Sequence, residues 1–385
     1  MKIILSVDPI KFPLTGIGRY TYELAKQLQL YSDLELLPFA NGSFVDDLSA
    51  EGQIINPRKA DWLKNHLRKI KLVTKAYQVL KEVRAKYALK DLDGAIFHGT
   101  NFYVPKFNGA CVATFHDLSV LTYAQYHTPE RVRYMQCELE RTLQRAALLI
   151  TDSEYIRQEI AAYSGYSLDK IYTIPLACSD AFHPREASST ALILARFGLK
   201  QGAYVLYTGT IEPRKNIDVL LDAYSTLPDA VRRRWPLVLA GYYGWRNSRL
   251  HARIRAAVSA GWAYYLGYVA TEDLPYLFAG ARLFVFPSHY EGFGLPVLEA
   301  LASGVPVICS NSSSLPEVTG GAASLFDPED IDKLRELILI GLEDEAWRAA
   351  AISKGLLQAS NFSWQKCARA TVDVYQKLAG SCYYL

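Results

Sequence analysis

The stretch His289–Val307, "HYEGFGLPVLEALASGVPV", decides how the chain is read. It follows the strand-like run "RLFVF" (282–286) and leads into another, "VPVIC" (305–309). Short apolar runs on either side of a helical segment mark a β-loop-α-β unit of a parallel sheet. Pro296 stands in the first helical turn and Gly304 just past the last, which predicts a helix over Leu295 to Ser303. Gly292 and Gly294 let the backbone come close to a ligand. They also leave amide N–H groups open at a helix N-terminus, where phosphates and sugar hydroxyls bind.

Only two carboxylates occur in this stretch, Glu291 and Glu299, and Glu299 is the sole charged residue from Gly292 to Pro316. A helix otherwise built of Leu, Val, Ala and Ser is a buried one, and an unpaired buried carboxylate is costly. The Glu299 side chain leans toward the helix N-terminus and reaches the loop mouth. Glu291, at the end of the preceding strand, faces the same mouth. Both are expected to accept hydrogen bonds from hydroxyl groups, supplied by a ligand or by water. The alternative for Glu299 is an ion pair with an arginine of the fold.

The same unit recurs along the chain. "KIILSV", "LELLPF", "AIFH", "CVATFH" and "ALLITD" are strand-like in the first half, and "AYVLYTG", "PLVLAG", "AYYLG", "RLFVFPS", "VPVICS" and "AASLFD" in the second. A chain of 385 residues exceeds one ordinary core. The Pro-, Ser- and charge-rich segment near 178–202 separates the sets. The expectation is an α/β protein of two Rossmann-like domains, 1–185 and 186–360, facing each other across a crevice, with a C-terminal helix in 361–385. Ser363 caps that helix and Trp364, Cys367, Ala368, Thr371, Val374, Tyr375 and Leu378 form one stripe. Ligands of such sheets bind at the carboxyl ends of the strands.

A second constellation, "YTGTIEPRKNIDVLLDAY" (207–224), leaves a strand through Gly209 and enters a helix with Asn216 as its expected N-cap. Arg214 and Lys215 lie side by side at the strand's carboxyl end. Arg forks across two phosphate oxygens and Lys adds a point charge, so the pair makes an anion site; a solvated loop pair is the alternative. In the first domain, "DPIKFPLTGIG" carries a G-x-G at Gly16 and Gly18, but Thr21 follows and no acid ends the next strand. This is a poor dinucleotide fingerprint, and it excludes a nicotinamide dehydrogenase. His116 ends "CVATFH", where it can donate to a substrate oxygen or move a proton; a structural histidine is the other reading. His98 has weaker claims, and His127 lies in a loop.

Composition narrows the class further. A net charge of +3 with 21% charged residues is no nucleic-acid binder's balance. The charge is uneven: residues 57–90 hold eleven Lys or Arg against two acids, leaving the rest of the chain at −6. Leu63, Leu67, Ile70, Val73, Tyr77 and Leu80 recur there at helical spacing, so this segment is a basic amphipathic helix. It either lies on an anionic membrane surface or docks on its own domain. Six dispersed cysteines suggest neither disulfides nor zinc. No signal peptide or membrane span is evident, so the chain is read as cytoplasmic. Phosphate-loop, zinc-protease and nucleophile-elbow motifs are missing, and Asp91-Leu92-Asp93 is read as a turn rather than a metal site.

With Glu291 and Glu299 eight positions apart around "GFGLPVL", and "GTIEPRKN" about eighty residues upstream, the chain resembles the retaining glycosyltransferases of family 4, which have the GT-B architecture. "TGIGRYTYEL" and "FHDLSVLTYAQYH" look most like bacterial mannosyl- and rhamnosyltransferases of surface polysaccharide (O-antigen) synthesis. The resemblance implies a nucleotide-sugar donor in the second domain, Arg214 and Lys215 on its diphosphate, Glu299 on the ribose, and Glu291 with the amides of Phe293, Gly294 and Leu295 on the transferred sugar. Gly18 would approach the diphosphate and His116 the reacting carbon. The C-terminal helix would return to brace the first domain. No metal and no other cofactor is implied, and the acceptor is a saccharide, free or polyprenyl-linked. A non-catalytic sugar-nucleotide binder and a nucleotide-sugar epimerase share the architecture and stand as alternatives. The hinge "IPLACSDAFHP" lacks the Gly-Val-Asp common in the family.

Overall fold

A computed structural model describes residues 1–48, 71–244 and 247–381. The first sheet joins β1 (Lys2–Ser6), β2 (Glu35–Ala40), β3 (Ser43–Phe44), β4 (Ile96–Gly99), β5 (Ala110–Phe115), β6 (Leu148–Thr151) and β7 (Ile171–Thr173) in the order β3-β2-β1-β4-β5-β6-β7. Only β3 runs antiparallel to its neighbour. The second sheet joins β8 (Val205–Thr208), β9 (Leu237–Ala240), β10 (Ala263–Gly267), β11 (Leu283–Phe286), β12 (Val307–Ser310) and β13 (Ser324–Phe326) in the order β10-β9-β8-β11-β12-β13. Each order reverses beside the domain's first strand, between β1 and β4 and between β8 and β11. Such a reversal opens a crevice at the strands' carboxyl ends. Strands β8, β9, β11 and β12 are buried at every position, as parallel strands covered on both faces must be. These are the two Rossmann-like domains expected from the sequence.

The chain crosses between the domains twice. After β7 it runs through 174–186 into the Ala187–Arg196 helix, which packs on the Leu274–Ala279 helix of the second domain. The Glu345–Ala359 helix packs on Leu295–Ala302; the chain then turns at 360–363, and the Trp364–Ser381 helix lies on Gly16–Leu28 of the first domain. Ser363 Oγ accepts from the Lys366 amide at 3.2 Å, and the whole stripe from Trp364 to Leu378 is buried. Fully buried His98 ties this helix down: Nδ1 meets Tyr375 Oη at 2.6 Å and Nε2 meets Thr114 Oγ1 at 2.8 Å. Tyr20 Oη, from the Gly16–Leu28 helix, joins the same Thr114 hydroxyl at 3.0 Å. Burial pushes the His98 imidazole down to about 3, with His116 adding to the effect, so the ring is neutral and serves as a structural link.

Of the basic segment 57–90, residues 57–70 lie outside the described residues. Lys71–Ala88 is helical, with Ala85 and Leu89 buried and Leu80, Val83 and Tyr87 exposed. The expected apolar stripe can be followed only at its last residue, Leu80, which faces away from the core. Asp91 has φ +65° in a turn. Among the described residues no group of three His, Cys, Asp or Glu is placed to hold a metal, and no helix is long and apolar enough to cross a membrane.

Tyr375→Phe removes one of the two partners of a fully buried imidazole. An unmet buried polar group costs about 1–3 kcal/mol, so the variant is expected to melt several degrees below the parent protein. An unchanged melting curve would show that the His98 network does not hold the helix.

Candidate active site

The carboxyl ends of β8 and β11 carry a lattice of two buried acids and two partly buried cations. Lys215 Nζ lies 2.6 Å from Glu291 Oε1, and Arg214 Nη1 lies 3.6 Å from Glu291 Oε2. Arg214 Nη2 donates to Glu212 Oε1 at 2.9 Å, and Nη1 donates to the Tyr290 carbonyl. Burial works to raise the Glu291 carboxyl, but Lys215 and Arg214 outweigh it and hold it below its ordinary range. Burial lowers the Lys215 ammonium, offset in part by Glu291. The expectation that a ligand or water satisfies Glu291 is therefore corrected: protein cations do so here, because burial at 8% exposure demands a charge partner. Asn216 is also not the side-chain cap expected of it. It takes a left-handed conformation, φ +53°, and its amide donates to the Pro328 carbonyl at 2.8 Å instead.

Glu299 is the converse case. It sits in the Leu295–Ala302 helix, partly buried, and among the described residues no donor hydrogen-bonds its carboxylate and no cation pairs with it within 4 Å. Burial raises its carboxyl to about 7, tempered by the more distant Arg19 of the first domain. Nearby, Gly294 has φ +104° and lets the loop turn into the helix. The amides of Phe293, Gly294 and Leu295 find no acceptor among the described residues. An apolar helix thus presents one unpartnered carboxyl and three open amides at its N-terminal end. Gly209, with φ +152°, and Gly241 meet so closely that a Cβ on Gly241 would fall 1.8 Å from the Gly209 carbonyl.

The first domain closes over this loop. A Cβ on Gly292 would stand 1.8 Å from the His116 carbonyl, so only glycine allows the approach. Gly16 faces Leu295, 3.8 Å from a would-be Cβ to Cδ1, which sets the two glycine loops opposite each other. Gly18 is required by packing on its own domain, since a Cβ there would lie 2.9 Å from the Pro9 carbonyl. Ser153 Oγ donates to the Gly292 carbonyl at 2.8 Å, and Tyr290 Oη accepts from the Leu118 amide at 3.0 Å while donating to Glu159. Glu317 accepts from the amides of Glu154 at 2.9 Å and Tyr155 at 3.3 Å, at the N-terminus of the Glu154–Ser164 helix, where a carboxylate is favoured.

His116 is brought to the crevice, but not as a free donor. Its Nε2 lies 2.9 Å from the Thr100 carbonyl, which can only accept, and Nδ1 lies 2.7 Å from Asp152 Oδ2. Burial works to lower the imidazole; the Asp152 charge and these hydrogen bonds outweigh it and raise the pKa. The expectation of an open ring nitrogen is corrected on this geometry. Sequence reasoning missed Asp152, as well as Glu212, whose Oε2 is buried without a partner, and Tyr290. The "TDS" and "IEP" runs gave no signal of which partner each acid would find. A cavity of about 350 Å³ opens beside this point, lined by His116, Asp117, Leu118, Met135, Glu212 and Arg214 among others.

Comparisons with known proteins match this architecture. The sequence model of Glycosyltransferase Family 4 covers residues 14–180 and that of Glycosyl transferases group 1 covers 194–357. O-antigen chain mannosyltransferase B of Escherichia coli is 45% identical over 98% of this chain and 100% of its own. The chain belongs to glycosyltransferase family 4. This glycosyltransferase is also 32% identical to the serotype-specific mannosyltransferase WbdA of Escherichia coli, over 70% of this chain and 34% of that longer one. Among solved structures, sucrose-phosphate synthase from Thermosynechococcus elongatus superposes with a TM-score of 0.72 at 21% identity, over 99% of this chain and 100% of that one. Anabaena HepE in complex with UDP-glucose gives 0.69 at 19%, over the full length of both. These likenesses show the GT-B fold of the glycosyltransferase.

The raised Glu299 carboxyl has a consequence for stability. The folded protein holds a proton that the unfolded chain releases near 4.5, so stability falls as pH rises from about 4.5 to about 7. Partial exposure moderates the loss to about 2 kcal/mol. Glu299→Gln is expected to be more stable than the parent at pH 8 by about that amount, with the two converging near pH 4. Melting curves that stay parallel across this range would refute the assignment.

Proposed function

We propose that this enzyme is a retaining hexosyltransferase that moves mannose or D-rhamnose from a GDP-sugar to a saccharide or polyprenyl-linked saccharide acceptor in bacterial surface polysaccharide synthesis. The observation that carries the reading is the partly buried Arg214–Lys215 doublet at the carboxyl end of β8, set against the amides of 293–295 and the Glu299 carboxyl, which find no partner among the described residues. The name of the full-length Escherichia coli relative supports mannose and O-antigen. Glu299 receives the ribose hydroxyls and the amides receive the sugar and phosphate oxygens. Lys215 turns from Glu291 toward the diphosphate, which frees Glu291 for a hydroxyl of the transferred sugar. Arg214 and Lys215 then stabilise the negative charge that grows on the departing diphosphate, while the acceptor hydroxyl attacks from the same face. Stabilisation of this kind needs no metal. His116 lies at the reacting side, held by Asp152 and Thr100, and acts by position. The acceptor occupies the cavity beside Asp117 and Met135.

A panel of nucleotide-sugars and saccharide acceptors, assayed with excess chelator present, tests the whole reading. GDP-mannose or GDP-rhamnose should give a product of retained anomeric configuration, and an epimerised nucleotide-sugar would overturn it. Arg214→Ala and Lys215→Ala should each lower turnover about 100-fold or more in protein that still melts cooperatively; near-normal turnover in both would remove the diphosphate assignment.

The enzyme is further read as cytoplasmic and peripheral on an anionic membrane face. Exposed Leu80, Val83 and Tyr87 share the Lys71–Ala88 helix with exposed Arg84 and Lys86, a pairing of apolar and basic groups that suits a lipid interface. Cosedimentation with vesicles containing anionic lipid should exceed that with neutral vesicles and fall with salt. Equal partitioning to both would refute the membrane role.

A further inference from the structure

A second cavity, of about 300 Å³, adjoins the first. Both are lined by Asn101 and Phe102, so the loop after β4 is the wall between them. That wall is firmly built. The Phe102 amide donates to the Thr114 carbonyl at 2.7 Å, and Thr100 Oγ1 donates to the Ser6 carbonyl at 2.6 Å. Phe102 itself has φ +41°, which side chains rarely adopt. A Cβ on Gly99 would lie 2.2 Å from the Tyr103 carbonyl, so the loop folds hard against the strand end. The Asn101 side-chain amide, at the junction, has no hydrogen-bond partner among the described residues.

The second cavity is lined by charges of both signs and by aromatic rings. Two of its three cations are paired: Lys81 Nζ lies 3.0 Å from Asp8, and Arg141 lies 2.7 Å from Glu138. The remaining charged side chains, Lys11 and Glu82, are of opposite sign, so the lining sums to zero. Two of its three cations are held by carboxylates and the third, Lys11, is offset by Glu82, so the lining has no net positive charge to favour a phosphate. Hydrogen-bonding groups of both kinds, with Tyr103, Tyr134 and Phe102 offering ring surface, suit a neutral ligand rich in hydroxyls and with apolar ring faces.

The geometry points to a second acceptor subsite: the terminal sugar sits in the cavity beside Asp117 and Met135, and a preceding sugar of the same chain lies across Asn101 in the neutral cavity walled by Tyr134 and Glu138. The enzyme therefore selects an acceptor of at least two sugars. This rests on reading the first cavity as the acceptor side.

The test measures transfer from GDP-mannose to methyl α-mannoside and to an α-linked mannotrioside. The parent enzyme should prefer the mannotrioside by about tenfold in kcat/KM, the worth of one or two hydrogen bonds. Tyr134→Ala and Glu138→Gln should each bring that ratio toward one, mainly through KM of the mannotrioside. Tyr134 is half exposed on the Pro129–Arg145 helix, so at least one variant keeps its fold. Met135→Trp, which narrows the first cavity, should depress transfer to both acceptors. A parent ratio near one, or an undiminished ratio in both variants, would overturn the second subsite. If Met135→Trp changes nothing, or neither acceptor is used, the underlying acceptor reading falls and the subsite with it.

Discussion

Glu291 cannot be buried without cations, and Arg214 and Lys215 cannot be drawn out of water without Glu212 and Glu291. This mutual requirement organises the second domain's chemistry. Four charged groups, Glu212, Arg214, Lys215 and Glu291, come from two loops that are adjacent only because β8 and β11 pair side by side at the sheet's reversal point. Removing either sign leaves the other stranded in a poorly solvated place. The lattice is neutral as it stands, so an arriving polyanion finds its attraction only by displacing an acid from a cation. On the proposed donor reading, recognition of the leaving group and release of Glu291 would be one exchange of partners.

Glu299 is governed by the opposite rule. Among the described residues it has no hydrogen-bond or ion-pair partner, its helix offers none, and its carboxyl is pushed into the neutral range. The protein tolerates a destabilising group where a ligand with hydroxyls would satisfy it. The two acids of one loop–helix unit thus differ in kind: one is held in the resting protein and the other is left open.

The strand and helix pattern was legible in the sequence because parallel strands buried on both faces read as unbroken apolar runs, as "LFVF" and "LVLA" do. The C-terminal stripe from Trp364 to Leu378 was legible because helical spacing alone sorted buried from exposed positions. What spacing could not supply was pairing across the fold. Glu291 and Lys215 are 76 positions apart, and their contact depends on the β8–β11 register. His116 was placed correctly at a strand end, yet its ring is consumed by Asp152 and the Thr100 carbonyl, neighbours set by β6 and β4. Asn216 was expected to cap by composition, but a left-handed backbone turned its side chain elsewhere. Residues 57–70, the first part of the basic segment, lie outside the described residues.

The first domain meets the loop at Gly292 through hydrogen bonds of Ser153, Tyr290 and Glu317 and through the Tyr290 ring, which is buried against Tyr123 and Tyr155. The two segments that join the halves, 174–186 and 360–363, add a mechanical condition. A body tied to its neighbour at a single point can swivel in any direction; one tied at two can turn freely only about the line through them. Any opening of the crevice must therefore flex both linkers together, and a stiffening change in the tail-side linker would resist that motion from far outside the crevice.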